Sequence, residues 1–256
     1  MSQPFGMSFN GSGQLWIVNY AGNILQKWAT IGGSPVTNIT SFNGGDLFSG
    51  PIGCGVNPVS GDVYVGDRTH NRYVVFNSAG TYQTTFTDGV CAFTGAAFIS
   101  SGTTLYALDQ NGKCLAVPVT AGSPPTFGNP VTFANSGPGA ISSSFSVHTD
   151  SHDNIWIADY SSLRVWEYNP SLVYQRAITV TGLPYDFGID GSDNVFVSDG
   201  SNDDIVEFDS SGQQVTTFGT GSGLSIPFGV AVDTTGHYVY VTDYASNQVI
   251  GYQRFN

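Results

Sequence analysis

Six times along the chain, a short run of alternating aliphatic and aromatic residues closes on Asp or Asn. The runs are Leu15-Trp16-Ile17-Val18-Asn19, Val63-Tyr64-Val65-Gly66-Asp67, Leu105-Tyr106-Ala107-Leu108-Asp109, Ile155-Trp156-Ile157-Ala158-Asp159, Val195-Phe196-Val197-Ser198-Asp199 and Val239-Tyr240-Val241-Thr242-Asp243. Their last residues lie 48, 42, 50, 40 and 44 positions apart, about 45 on average. A long fixed period marks a repeat architecture in which each unit buries a face against its neighbour. Within each run the period is two, so the run is a strand, B, with alternate side chains on opposite faces. Turn sequences such as Asn10-Gly11-Ser12-Gly13, Asp190-Gly191-Ser192-Asp193-Asn194 and Asp233-Thr234-Thr235-Gly236 precede it. Before each turn the pattern predicts a strand A, entered through Phe5-Gly6, Ile52-Gly53, Phe145-Ser146, Tyr185-Asp186 or Phe228-Gly229. After the Asp come a loop and a strand C (Tyr73 to Phe76, Val165 to Tyr168, Ile205 to Phe208, Val249 to Tyr252). In five units a strand D follows, for example Thr81 to Thr87, Val173 to Val180 and Gln213 to Phe218.

Four antiparallel strands repeated every 40 to 50 residues, with almost no helix pattern, predict an all-β, six-bladed β-propeller. The chain divides into one domain of six units, approximately 1–42, 43–87, 88–136, 137–180, 181–219 and 220–256. Glycine at the first position of strand A fits innermost strands that converge on an axis, where side chains compete for room. The strand B aromatics are expected to fill the space between blades. Unit six ends at Asn256, just after strand C, and only four residues precede Phe5, so twenty-three strands and a three-stranded last blade are expected. Ring closure then rests on packing between units one and six, unless a longer polypeptide supplies the missing strand.

Composition sharpens this picture. Charged residues are only 10% of the chain and there are 33 glycines, so surface polarity comes from turn- and strand-favouring Ser, Thr, Asn and Gly. A formal charge of −12 repels phosphate backbones, which makes nucleic acid an unfavourable partner. No stretch approaches the roughly 18 apolar residues that cross a bilayer, so no membrane insertion is expected. Lys-poor, Asp-over-Glu, Ser/Thr/Gly-rich composition points to a secreted or periplasmic protein. Cys54, Cys91 and Cys114 have no metal-ligand spacing, and whether any two pair is open at this stage.

The loops after strand B and the entries to strand A open on one face. That face gathers the residues one past each anchor, Tyr20, Arg68, Gln110, Tyr160 and Tyr244, together with Phe5, Phe145, Tyr185 and Phe228. Tyr20, Arg68, Tyr160, Tyr185 and Tyr244 are the candidate ligand-binding residues. Ser146, His148 and Asp186 are expected to line the channel, where an acid and an imidazole can hold a cation or move a proton. The turns at 150–154 and 190–194 look like calcium loops, but they lack the spacing and closing Glu of an EF-hand and read as turn chemistry. The anchor Asp residues are expected to cap their own loops. The basic cluster Arg68, His70 and Arg72 is expected to form ion pairs between blades. No catalytic set, metal site or cofactor motif is recognised.

The segment Pro227-Phe228-Gly229-Val230-Ala231-Val232-Asp233 through Val239 to Val249 resembles an NHL repeat, and the likeness covers essentially the whole chain. The repeat's Asp, then Asn and Arg four and five positions later, stands as Asp67, Asn71 and Arg72. Parts persist in Asp243, Asn247, Gln248 and in Asp159, Leu163, Arg164, while units one and three depart from it. The resemblance implies that the strand-entry Phe residues pack between blades. It also implies an extracellular sensor or scaffold. The three-His zinc site of related amidating lyases cannot be assembled, since His148 alone among four histidines lies on an inner strand. Glu167 and Glu207 fall on strand C, which disfavours the acidic sites of gluconolactonase-like and strictosidine synthase-like propellers. RNA binding, known in animal NHL proteins, conflicts with the acidic charge.

The first reading is a non-enzymatic module that binds a peptide, protein or saccharide on the loop face. A second is a metal-dependent hydrolase or lyase in the channel near His148 and Asp186. A third is a structural propeller fragment or engineered repeat protein without ligand. A monomer is expected, with dimerisation through the open edge of the last blade as an option.

Overall fold

The computed structural model describes residues 1–254 apart from 31, 90, 135–139 and 234. The boundary expected between units three and four, at 136 and 137, and Thr234 of the last A–B turn therefore lie outside the described residues. Blade one comprises β1 (Pro4–Phe9), β2 (Leu15–Asn19), β3 (Ile24–Trp28) and β4 (Pro35–Ile39). Blade two comprises β5 (Pro51–Val56), β6 (Val63–Asp67), β7 (Arg72–Phe76) and β8 (Tyr82–Phe86). Blade three has β9 (Phe93–Phe98), β10 (Thr104–Asp109) and β11 (Cys114–Thr120), and its outer strand is split into β12 (Thr126–Phe127) and β13 (Val131–Phe133). Blade four is β14 (Ser144–Thr149), β15 (Ile155–Asp159), β16 (Arg164–Tyr168) and β17 (Tyr174–Thr179). Blade five is β18 (Pro184–Ile189), β19 (Val195–Asp199), β20 (Asp204–Phe208) and β21 (Gln214–Phe218). Blade six has three strands, β22 (Pro227–Val232), β23 (Tyr238–Asp243) and β24 (Gln248–Gln253).

The protein is thus an all-β six-bladed propeller of antiparallel blades with a three-stranded last blade. Its described residues hold twenty-four strand segments rather than the twenty-three expected. The extra one arises where Gly128-Asn129-Pro130 interrupts the outer edge of blade three, since proline has no N–H for the ladder. A three-residue 3-10 turn, Arg68–His70, is the one helical element among the described residues.

The inner strands lie side by side around the axis, and β1 packs directly against β22, so the ring closes without exchange of strands. Their approach is set by missing side chains. A Cβ on Gly53 would stand 2.3 Å from the carbonyl oxygen of Thr94 on the next blade, and one on Gly229 would stand 2.2 Å from that of Phe5. Small polar residues at the end of strand B bridge the same gap: Ser198 Oγ donates to Phe228 O at 2.7 Å and Thr242 Oγ1 donates to Phe5 O at 2.6 Å.

Five of the six strand B aromatics (Trp16, Tyr64, Tyr106, Trp156 and Phe196) are at most 3% exposed between blades, as the pattern predicts. The sixth, Tyr240, is only half-buried. Asp109, Asp159, Asp199 and Asp243 cap their own loops as expected, Asp199 accepting from Ser201 N and Asn202 N, whereas Asp67 makes no such cap bond among the described residues. Anchors also accept from the segment entering strand A, as when Ser49 N donates to Asp67 at 2.7 Å.

A second link joins neighbouring blades. Asn23, Asp203 and Asn247 adopt left-handed backbone (φ 50°, 54° and 58°), which Asn and Asp tolerate better than most residues. Their side chains accept backbone N–H groups from the next blade's entry segment: Gly50 at 3.0 Å, Ile226 at 2.8 Å and Gln3 at 2.7 Å. The last of these spans the closure between blades six and one. All three cysteines are buried and unpaired.

Close approach at the axis makes an unequal pair of glycine substitutions informative. Gly53→Ala is expected to lower unfolding stability by about 1–3 kcal/mol through overpacking. Gly11→Ala, in an exposed turn with nothing near its Cβ, is expected to stay within about 0.5 kcal/mol of the parent. Urea denaturation of both variants checks this, and equal midpoints would contradict it.

Candidate functional site

Each inner strand carries a bulge where it enters the blade, with pairing register shifting between Pro4 and Met7, Pro51 and Cys54, Pro184 and Phe187, and Pro227 and Val230. A bulge redirects side chains, and here it turns the entry residues over the axis. Phe5, Ile52 and Phe228 form one buried cluster against which Tyr20, Phe145, Tyr185 and Tyr244 pack. The Phe residues therefore do not pack between blades as the repeat resemblance implies. Phe5 and Phe228 meet across the closure with ring centroids 3.7 Å apart, Tyr185 stacks on Phe228 at 4.1 Å, and Tyr160 stacks on Phe145 at 5.1 Å.

These rings roof the channel on the entry face. Below them lies a cavity of about 20 Å³, on the order of one water. Around the roof run the residues one past each anchor. Tyr20, Tyr160 and Tyr244 are half-buried, and in blade five Gly200 leaves the place to Tyr185, whose ring lies 2.1 Å from where a Cβ would stand. None of the four tyrosine hydroxyls has a hydrogen-bond partner among the described residues. Burial, then the neighbouring Tyr160, pushes the Tyr185 hydroxyl above the usual range, so it stays protonated and able to donate.

Blades two and three contribute Arg68 and Gln110 at the same register. Arg68 is half-buried and has no ion pair among the described residues. Its neighbours behave differently from the inter-blade pairs expected of the basic cluster. His70 Nδ1 and Arg72 Nε each lie 2.9 Å from Asp67, the anchor of their own unit. The reason is local geometry: the tight 3-10 turn folds His70 back over Asp67, and pairing of β6 with β7 sets Arg72 directly opposite it.

The channel residues come together as one network. Asp186 and Ser146 occupy the positions where other inner strands have glycine. Asp186 Oδ1 accepts from Ser146 Oγ, from Phe187 N at 2.8 Å and lies 3.0 Å from His148 Nε2, while Oδ2 accepts from Val230 N at 3.1 Å. One carboxylate thus ties blades four, five and six. His148, Cys54 and Ala96 line both the channel and a depression of about 250 Å³ on the opposite, turn face.

The turn face also carries Asp150, His152 and Asp193, whose ligand atoms lie within 4.8 Å of one another. Asp150 already accepts from His152 N, Asn154 N, Asn154 Nδ2 and Trp156 Nε1, and Asp193 accepts from Ser151 N and Oγ. That is the chemistry of turns and blade-to-blade links, which engages both carboxylates. Sequence reading placed Phe5, Phe145, Tyr185 and Phe228 on this face but missed their closure over the axis, because the bulges that produce it leave no mark in the alternating pattern.

No family model and no curated protein matches this chain. Solved structures do share its fold. A catalytically inactive histidine-to-alanine virginiamycin B lyase from Staphylococcus aureus, solved with quinupristin, superposes with a TM-score of 0.70 at 14% identity, covering 98% of this chain and 84% of that one. A streptogramin B lyase gives 0.69 at 12% identity over 100% and 84%. A chain of a nidogen/laminin complex gives 0.73 at 15% identity over 89% and 84%. At such identities the likeness concerns the fold alone.

Because Asp186 is buried and accepts from three strands, its removal strands several donors at once. Asp186→Ala is expected to lower stability by about 2–4 kcal/mol, with Asp186→Asn retaining part of the network and losing less. Chemical denaturation monitored by tryptophan fluorescence checks both, and an Ala variant as stable as the parent would contradict the structural role.

Proposed function

We propose that this NHL-type propeller is a non-enzymatic binding module whose ligand docks on the entry face, over the aromatic roof. The supporting observation is the ring of Tyr20, Tyr160, Tyr185 and Tyr244. Their rings are held in place by packing on the roof, and their hydroxyls have no partners among the described residues. Rigid aromatic surface with free hydrogen-bonding tips suits recognition at small entropic cost. Arg68, without an ion pair among the described residues on a protein of net charge −12, adds a contact for a carboxylate or another anionic group. The reading fits a peptide, a protein segment or a saccharide, each of which presents flat apolar patches beside polar groups.

A second reading, a metal-dependent hydrolase or lyase, is motivated by the His148–Asp186 pair in the channel. It has weaker support: the Asp186 oxygens are engaged by four partners, and the cavity on their side of the channel is on the order of one water, the larger depression of about 250 Å³ being reached by His148 and not by Asp186. Two tests separate the readings. Ligands selected from a displayed peptide library and from a glycan array are expected to lose about tenfold in affinity for each of Tyr20→Ala, Tyr160→Ala and Tyr244→Ala. Unchanged affinity in all three variants would remove the entry face as the site. Thermal melting with added Ca²⁺ or Zn²⁺ is expected to show no stabilisation. A rise in Tm that His148→Ala abolishes would favour the channel reading instead.

A further inference from the structure

In five of the six spaces between blades, the outermost strand places one large apolar side chain against the next blade. These residues are Ile39 of β4, Phe86 of β8, Phe133 of β13, Ile178 of β17 and Phe218 of β21. Four of them have the equivalent partner in the pairing register, namely the second residue of their own blade's strand C: Leu25, Tyr73, Val165 and Ile205. Between blades six and one no such residue is present among the described residues, and β24 pairs with β23 alone.

Exposure changes at the positions such a residue would cover. Val249, the equivalent of Leu25, Tyr73, Val165 and Ile205, is half-buried, whereas those four are fully buried. Tyr240 is half-buried, whereas the other five strand B aromatics are covered. Trp28, which ends strand C of the facing blade, is half-buried, whereas its equivalents Phe76, Tyr168 and Phe208 are at most 4% exposed. A groove of about 260 Å³ lies there, lined by Phe9, Leu15, Trp28 and Tyr240.

We infer that β24 is a docking edge for an extended segment of a partner polypeptide, which adds antiparallel as a fourth strand. Its backbone pairs with the open edge of β24, and a Phe or Ile side chain opposite Val249 fills the groove against Tyr240 and Trp28. The residue two positions earlier lies opposite Gly251, by the register of Thr84 with Val75 and Thr216 with Glu207, and is a small or β-branched polar residue as in those strands. Two of the chain's own outer strands spell this pattern, Gln83-Thr84-Thr85-Phe86 and Val215-Thr216-Thr217-Phe218. Main-chain pairing supplies affinity in this mode, and the pocket for the alternate side chain supplies selectivity.

The probe is a labelled peptide with the sequence of residues 81–87, Thr81 to Thr87, added to the full chain. Saturable binding by fluorescence anisotropy is expected, with the peptide carrying Phe86→Ala binding at least about tenfold more weakly. Hydrogen exchange is expected to slow for backbone amides of residues 248–253 and to stay unchanged at the loops bearing Tyr20 and Tyr160. Absence of binding, equal binding of the Ala peptide, or protection confined to the entry face would each overturn the proposal. Val249→Asp in the protein is expected to abolish binding; if that variant melts early, the peptide pair and the exchange map decide alone. Sedimentation velocity without peptide is expected to give a monomer. A dimer disrupted by Val249→Asp would assign the edge to a second copy and overturn the partner assignment.

Discussion

Everything in this molecule depends on how closely six inner strands approach one another around a common axis. At Gly53 and Gly229 the neighbouring carbonyl oxygen stands little more than 2 Å from where a Cβ would be. That distance is shorter than any side chain allows, so the ring diameter is fixed by backbone contact and not by side-chain packing. A ring this tight leaves almost no lumen. Where blades four and five do carry side chains at the glycine position, Ser146 and Asp186, those groups are pushed into the remaining space and must satisfy each other there. The buried carboxylate is a consequence of the convergence. Its bonds to Phe187 N and Val230 N replace the solvation that burial removes.

The same convergence explains the roof. Inner strands that meet at the axis cannot all continue straight into the loops that deliver them, and a bulge at each entry relieves the crowding by rotating one residue upward. These rotations about one axis bring Phe5, Ile52, Phe145, Tyr185 and Phe228 into one cluster, while blade three has the fully buried Thr94 at the same position. Aromatic side chains suit this place because they span a gap too wide for Val or Ala while offering tilted and stacked contacts from several directions. Once that floor exists, the residue one past each anchor has an apolar surface to lean on. A tyrosine there keeps its ring half-covered and its hydroxyl outside.

The architecture was legible in the chain because two signals reinforce each other. The aromatic of strand B recurs at one register, and an Asp or Asn closes each run, so six units, their strand order and the three-stranded last blade follow from pattern alone. The grouping of Tyr20, Tyr160, Tyr185 and Tyr244 on one face also follows from topology. Alternation carries no information about bulges, however, and the direction of Phe5 and Phe228 depends on them. Ser146, His148 and Asp186 were grouped in the channel by their register on the inner strands, whereas the bond from Val230 N, contributed by the next blade's backbone, was hidden. Asn247 was visible as part of a repeat motif, whereas Asn23 lies in unit one, which departs from that motif. Their function as acceptors for the next blade requires a left-handed backbone that sequence does not display.

The closure between blades six and one shows how little of a propeller's ring integrity resides in its outer strands. At the axis this interface repeats the links found elsewhere: a glycine against a carbonyl, a hydroxyl bridging from Thr242 to Phe5, and an Asn side chain holding the entering backbone at Gln3. Met7, Leu15 and Ile17 on the inner half are as buried as their equivalents in complete blades, at 2%, 1% and 0% exposed. Only the outer half differs, at Trp28, Tyr240 and Val249. Closure and outer-strand pairing are therefore separable: the first is carried by contacts near the axis, and the second covers apolar surface farther out. A ring that holds without its last strand can present that strand's place to another chain, whereas a ring clasped by exchanged strands would have already filled it.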